Sequence, residues 1–379
     1  MFDMDYGNNQ KVRVDMTNKI KVGALLIVCI IAGCISVKDE IRFHKNRYGY
    51  SEVQVMDLTF SISDEYDDGP YVFYTEKGFL DRSVVQGKLV QSSSKFTYPD
   101  VFEPAPSNIQ FEGKIAALSD IHGQFEVFTN LLKANQIIDD KLRWSFGDGM
   151  LVITGDVFDR GPKVLDTLWM LYRLEQEAKQ QGGQLHLLLG NHEYMVLTGD
   201  LRYLHPFYEI TADLMGKEYH HLFGTDSVLG RWLRAKSTIL KVNDTLFMHG
   251  GLSPAFVEHG LDFETINEQY RKSIDTLLTG ESNNPAVNAL HDRQSPIWYR
   301  GYFYGNGLEQ ETLDAILEKA DVSRIVVGHT SMQSVKSYFN NKVLAVDTSI
   351  KKGMQGELLF IQDNNLTRAT YQGEKIAIN

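Results

Sequence analysis

Five short apolar runs of strand length each end in glycine beside an acidic, imidazole, amide or guanidinium side chain. Ile115–Leu118 leads into Ser119-Asp120-Ile121-His122-Gly123, and Leu151–Thr154 into Gly155-Asp156-Val157-Phe158-Asp159-Arg160-Gly161. Leu185–Leu189 leads into Gly190-Asn191-His192-Glu193, Leu246–Met248 into His249-Gly250-Gly251, and Ile325–Val327 into Gly328-His329. The carboxyl edge of an open α/β sheet is where such residues build a site. Asp120, Asp156 and Asn191 are separated by 36 and 35 residues. One strand-helix-strand unit fits each gap, which brings the three side by side.

Taken singly, a histidine after a strand reads as structural, and an Asp-Arg pair reads as a salt bridge. Five such junctions in order read differently. Burying so many ionisable groups at one edge destabilises a fold unless a compensating charge is present, and a metal cluster supplies it. The donors Asp120, His122, Asp156, Asn191, His249 and His329 are oxygen and nitrogen without sulfur. That set suits divalent Zn, Mn or Fe and is too nitrogen-rich for calcium or magnesium. Six ligands exceed what one open catalytic ion needs. Two ions sharing Asp156 fit better, with Asp120 and His122 on one side and Asn191, His249 and His329 on the other. The seven other histidines, His220 and His221 among them, receive only a structural reading.

Cysteine usage removes rival chemistries. The chain has two, Cys29 and Cys34, so nothing from Ile35 to Asn379 can form a disulfide, a thiolate zinc site or a cysteine nucleophile. The net charge of −11 gives no general attraction to phosphate backbones, which argues against a nucleic-acid partner.

Three segments follow from texture. Residues 1–33 read as a leader: Lys19 and Lys21 precede the uncharged stretch Val22–Val37, which is shorter than the roughly 20 residues a bilayer span needs. Ile31-Ala32-Gly33-Cys34 resembles a bacterial lipobox, which implies export to the periplasm and membrane attachment as a lipoprotein through Cys34. A plain anchor or an uncleaved signal stays open. Residues 34–112 read as a small β-rich module with a linker, from runs such as Val53–Phe60, Tyr71–Tyr74 and Val84–Val90. Residues 113–379 alternate strand and helix, with Val164–Gln181 the clearest helix and Gly182-Gly183 its stop, so an α/β sandwich with helices on the sheet faces is expected.

The motifs GDxHG, GDxxDRG, GNHE, HGG and GH, in order over 119–329, resemble those of the metallophosphoesterases of the phosphoprotein phosphatase superfamily. The runs GNHEYMVLTGDLRYLH, LGRWLRAK, MHGGLSP, WYRGYF and VGHTS are similar to the bacterial Shewanella-like phosphatases, through most of residues 70–372. The resemblance implies a metallophosphoesterase-type β-sandwich flanked by helices, with the six ligands named above. It also implies that Arg160 grips the substrate phosphate together with Asn191, and that His192, oriented by Asp159, protonates the leaving oxygen. Arg300 would be the second phosphate clamp. The implied activity is hydrolysis of a phosphomonoester, in protein phosphotyrosine above all, by direct in-line attack of a metal-bridging hydroxide. A dinucleoside polyphosphate or nucleotide phosphoesterase is the alternative. Two departures stand out. Ser119 replaces the first motif glycine, and Ala345-Val346-Asp347-Thr348-Ser349 stands where the eukaryotic serine/threonine enzymes carry a SAPNY-type element. Glu193 is expected behind the site, and Arg231 and Arg234 on a helix outside it.

Overall fold

Strands apolar on both faces must be covered on both faces, and the architecture meets that demand. The structure is a computed structural model that describes residues 66–279, 284–304 and 307–378 with their side chains; the expected leader and Cys34 lie outside them. A three-stranded antiparallel sheet comes first (β1, Asp68–Thr75; β2, Gly78–Val85; β3, Lys88–Ser93). The body holds β4 (Asn108–Ile109), β5 (Ile115–Leu118), β6 (Met150–Ile153), β7 (Gln184–Leu187), β8 (Ile239–Val242), β9 (Thr245–Met248) and β10 (Arg324–Val327). After these come β11 (Lys336–Tyr338), β12 (Val343–Ala345), β13 (Leu358–Gln362), β14 (Asn365–Ala369) and β15 (Lys375–Ala377). They form two six-stranded sheets, ordered β7-β6-β5-β13-β14-β15 and β11-β12-β10-β9-β8-β4. The helices used below are α1 (Phe125–Ala134), α2 (Val164–Gln180), α3 (Asn191–Leu197), α4 (Pro206–Met215) and α5 (Val228–Arg234).

Alternation along the strands separates two cores. Ile115, Ala117, Met150 and Val152 point inward against Leu240, Val242, Phe247, Val326 and Leu344 of the other sheet. Ala116, Leu118, Leu151 and Ile153 point outward and pack with Phe128 and Leu131 of α1 and Leu165, Leu168 and Leu171 of α2. This is the period-2 side-chain pattern of stacked sheets. Full burial of each Leu, Ile or Phe is worth about 1.5–3 kcal/mol.

Register places the site. β5, β6 and β7 are parallel, with Leu118 level with Ile153 and Ile153 level with Leu187. In the second sheet β9, β10 and β12 are parallel, with Met248, Val327 and Ala345 level. The residues after these strands therefore emerge at carboxyl ends, as the alternation of strand and helix leads one to expect.

The N-terminal sheet shares the body's core. Tyr71, Phe73 and Val84 are buried in it, the Trp169 indole N–H donates to the Pro70 carbonyl at 2.8 Å, and the Tyr74 amide donates to the Asp226 carbonyl at 2.8 Å. β4 pairs in parallel with β8, so the chain has joined the second sheet before residue 113, where the phosphatase domain was expected to begin. The run Val84–Val90 is broken by a two-residue turn at Gln86-Gly87, both at positive φ. The terminal hairpin turns at Asp363-Asn364, both at positive φ. Among the described residues no helix is long and apolar enough to cross a membrane.

Candidate active site

Strained turns deliver the residues that follow β5, β6 and β10. Asp120, His122, Asp156, Asp159, Arg160 and His329 all have φ between 47° and 69°, the left-handed region that non-glycine residues seldom occupy. Such conformations cost on the order of 1–3 kcal/mol each and persist only where the surroundings over-determine them. Two devices do so here. The buried Glu193 carboxylate accepts from the amides of Asp156 (2.8 Å), Val157 (2.7 Å), Phe158 (3.1 Å) and Gly190 (2.7 Å), which clamps the turn after β6 to the start of α3. Glycine permits the close approach, since a Cβ on Gly190 would lie 2.3 Å from Asp156 Oδ1.

The turns converge. Asp156 Oδ2 lies 3.1 Å from His249 Nε2, 3.5 Å from His122 Nε2 and 3.8 Å from His192 Nε2. Asp120 Oδ2 lies 3.7 Å from His122 Nε2, and Asp120 Oδ1 accepts from the His329 amide at 2.9 Å. His249 Nε2 is 2.9 Å from Asn191 Oδ1 and 3.1 Å from His329 Nδ1. The six residues expected as metal ligands are thus in one buried cluster. Ser119, the departure from the motif, donates its hydroxyl to Asp120 Oδ1 at 2.8 Å and so adds a support to that carboxylate.

The donor set fits a cation. His122 Nδ1 donates to the Phe158 carbonyl (2.6 Å) and His249 Nδ1 to the Thr154 carbonyl (2.7 Å), which turns both Nε2 atoms toward the carboxylates. His122 Nε2 and His329 Nε2 are buried without a hydrogen-bond partner. Ligand atoms of His122, Asp156 and His192, and of Asp156, His249 and His329, lie within 4.8 Å of one another. The field agrees. Burial opposes charge on His249, yet Asp156 and Asp120 outweigh it and hold the imidazole up at about 9. Burial disfavours the Asp120 and Asp156 carboxylates too, but their histidine neighbours hold both below the usual range. Burial pushes the His122 and His329 imidazoles below their ordinary value, so the positive charge that the two carboxylates favour falls on His249.

His192, Asp159 and the two arginines form the outer face. His192 Nδ1 is 2.5 Å from Asp159 Oδ2, while its Nε2 is 3.4 Å from Arg160 Nη2. Arg160 is exposed and lies 5.0 Å over the Tyr203 ring. Arg300 is also exposed, with Nη2 3.5 Å from His329 Nδ1 and 3.4 Å from the His329 carbonyl. Each arginine thus leans on a site histidine with its guanidinium toward solvent.

Three residues at this site carried no sequence expectation. Asp347 follows β12 and is fully buried; burial and then Asp120 push its carboxyl up to about 7. Lys351 Nζ bridges it (3.1 Å) to Asp120 Oδ2 (3.4 Å), and Ser331 Oγ donates to Asp347 at 2.7 Å. The signal for Asp347 was weaker, an acidic residue two positions after a strand with no glycine beside it. Arg231 and Arg234 sit on α5, occupied by the Asp100 carbonyl (2.8 Å) and the Phe223 carbonyl (2.6 Å), outside the cluster.

The Calcineurin-like phosphoesterase family matches residues 113–332 of the chain. Shewanella-like protein phosphatase 1 of Plasmodium berghei is 30% identical over 283 residues, which is 72% of this chain and 75% of that one. A symmetrical bis(5'-nucleosyl)-tetraphosphatase of Buchnera aphidicola is 27% identical over 187 residues, 48% of this chain and 58% of that one. Among solved structures, a cold-active protein-tyrosine phosphatase of a psychrophilic Shewanella species is 40% identical with a TM-score of 0.79, over 83% of this chain and 100% of that one. The chain belongs to the calcineurin-like phosphoesterases and, within them, to the Shewanella-like protein phosphatases.

Proposed function

We propose that the protein is a metal-dependent phosphomonoester hydrolase whose substrates are phosphotyrosyl proteins or peptides. The observation that carries this reading is the pairing of a buried six-residue donor cluster with two solvent-facing arginines, Arg160 held against His192 and Arg300 against His329. Asp120, His122, Asp156, Asn191, His249 and His329 would hold two divalent ions of the Zn, Mn or Fe kind, with Asp156 shared. Bound there, such ions supply an activated water and neutralise charge at phosphorus.

The chain's own residues do the rest. Arg160 and Arg300 present guanidinium forks to the phosphate oxygens, a match in shape and charge that suits bidentate contact. Asn191 would turn its side-chain N–H, which contacts Met195 Sδ at 3.7 Å, to a phosphate oxygen. His192 delivers a proton to the departing oxygen from Nε2. Its Nδ1 contact with Asp159 fixes the ring, and burial, which disfavours the charged ring, is outweighed by Asp156 and Asp159, which raise the imidazole above its ordinary value.

The tyrosine preference rests on likeness to the Shewanella enzyme along its whole length, against half-chain likeness to the tetraphosphatase. Turnover of a phosphotyrosine peptide, a phosphoserine peptide and diadenosine tetraphosphate, with and without chelator, tests it. Fastest turnover of the dinucleotide would replace this reading with the nucleotide alternative, and activity indifferent to chelation would end the metal-dependent one. Attachment to the membrane through Cys34 is part of the same proposal. Lipid labelling of the full chain that survives Cys34→Ser would refute it.

A further inference from the structure

The 3₁₀ helix Tyr219–Phe223 carries a second group of donors outside the phosphatase cluster. Ligand atoms of Glu218, His220 and His221 lie within 4.8 Å of one another, although neither histidine had any predicted role. Glu218 occupies the position before the helix and His220 and His221 its first turn, so the three come together through local backbone geometry alone.

Two features set this group apart from ordinary surface polarity. His220 Nδ1 is buried without a hydrogen-bond partner, on a side chain only 10% exposed. Leaving such an atom unsatisfied is destabilising, and a bound cation would relieve it. It lies 3.4 Å from Glu218 Oε2, a separation that fails hydrogen-bond geometry but matches the donor-donor edge of about 3.4 Å in a tetrahedral site with ligands near 2.1 Å. The His220 and His221 ring centroids are 3.9 Å apart.

The electrostatics leave the donors available. Burial, then His221, pushes the His220 imidazole below its ordinary value, which keeps its lone pair free at neutral pH. Of the nearby cations, Lys217 pairs with Asp226 at 3.0 Å, while Arg234 faces Asp275 at 3.7 Å and adds a smaller downward push on His220. Glu218 is exposed on its outer side, with its side chain 73% accessible, which gives an ion a path in and room for water as a fourth ligand.

We propose that Glu218, His220 and His221 form an additional divalent metal site of the zinc type, separate from the phosphatase centre. Two imidazoles and one carboxylate are borderline donors that suit Zn²⁺ over Ca²⁺ or Mg²⁺. Its role is structural. An ion would tie the residue preceding the helix to the first turn, and this helix buries Tyr219, Leu222 and Phe223, the last with its ring 4.9 Å from Phe158.

The test uses the full holoenzyme equilibrated with excess Zn²⁺ and then freed of loosely held ion. His220→Ala/His221→Ala should retain about one equivalent of zinc fewer than the unaltered protein, with turnover kept because neither residue touches the phosphatase cluster. Because His220 is largely buried, His221→Ala, at an exposed position, is the second arm. Co²⁺ titration of that variant should lack one absorbing component of tetrahedral intensity present in the unaltered protein. Equal zinc content in the first comparison, or identical Co²⁺ spectra in the second, overturns the assignment.

Discussion

Replacing Glu193 by Gln probes the clamp that holds the turn after β6 in its left-handed conformation. Glu193 Oε1 accepts from the amides of Val157 and Phe158, and Oε2 from those of Asp156 and Gly190. All four partners are donors, so an amide side chain can serve only two of them and turns its own N–H₂ toward the other two. Two buried backbone N–H groups are then unsatisfied at about 1–3 kcal/mol each, a loss of about 2–6 kcal/mol. That is a large share of a stability that is about 5–15 kcal/mol for a typical domain. Urea unfolding in chelator measures it without contribution from metal binding, and an unchanged m-value would show that the native and denatured states are otherwise the same. Metal affinity should fall as well, by about 10–100-fold, the usual effect of removing a support behind a ligand. A Glu193→Gln protein that unfolds within about 1 kcal/mol of the original would refute the claim that this carboxylate sets the turn, since surface changes alone reach that range.

Asp156→Asn should lower the metal content of the phosphatase cluster and abolish most turnover, because the carboxylate faces His122, His192 and His249 at once; full metal content in the purified variant would contradict the shared-ligand assignment. Gly328→Ala places a Cβ 2.0 Å from Ser119 Oγ and should cost about 1–3 kcal/mol by overpacking, with Ser119→Gly in the same chain restoring much of it. Additive effects in that double-mutant cycle would count against the contact. His291 is half-buried against Tyr194 and Tyr270, and desolvation there pushes it down to about 4. The unfolded chain takes up its proton near the ordinary value of about 6.5, so this stability is fully present above that pH and is lost as pH falls through about 4. His291→Gln should flatten the stability profile across that window, and an unaltered acid slope would exclude His291 as its source.

The part of the site that could be read in sequence is the part that parallel strands make local. Spacings of 36 and 35 residues between Asp120, Asp156 and Asn191 imply in-register neighbours, and β5, β6 and β7 pair that way. Glycines beside the ligands signalled turns, but not that the ligands themselves would take positive φ, because that follows from packing such as the Glu193 clamp. Asp347 obeys the same strand-end rule after β12, yet it lacks the accompanying glycine that made the other five junctions legible. Lys351 had no signal at all. Its partner Asp120 is 231 residues away, and the two meet only because β13 returns antiparallel beside β5 and brings the preceding segment to the same edge. The N-terminal sheet is illegible for a related reason. Its alternating strands announce one apolar face, but what covers that face is decided by Trp169 and Phe223, which belong to elements far along the chain. Sequence patterning therefore specifies which side of each element is buried, whereas the charge balance around Asp120 depends on contacts between distant segments. A substitution at Lys351 should accordingly disturb metal binding while leaving every motif of the family intact.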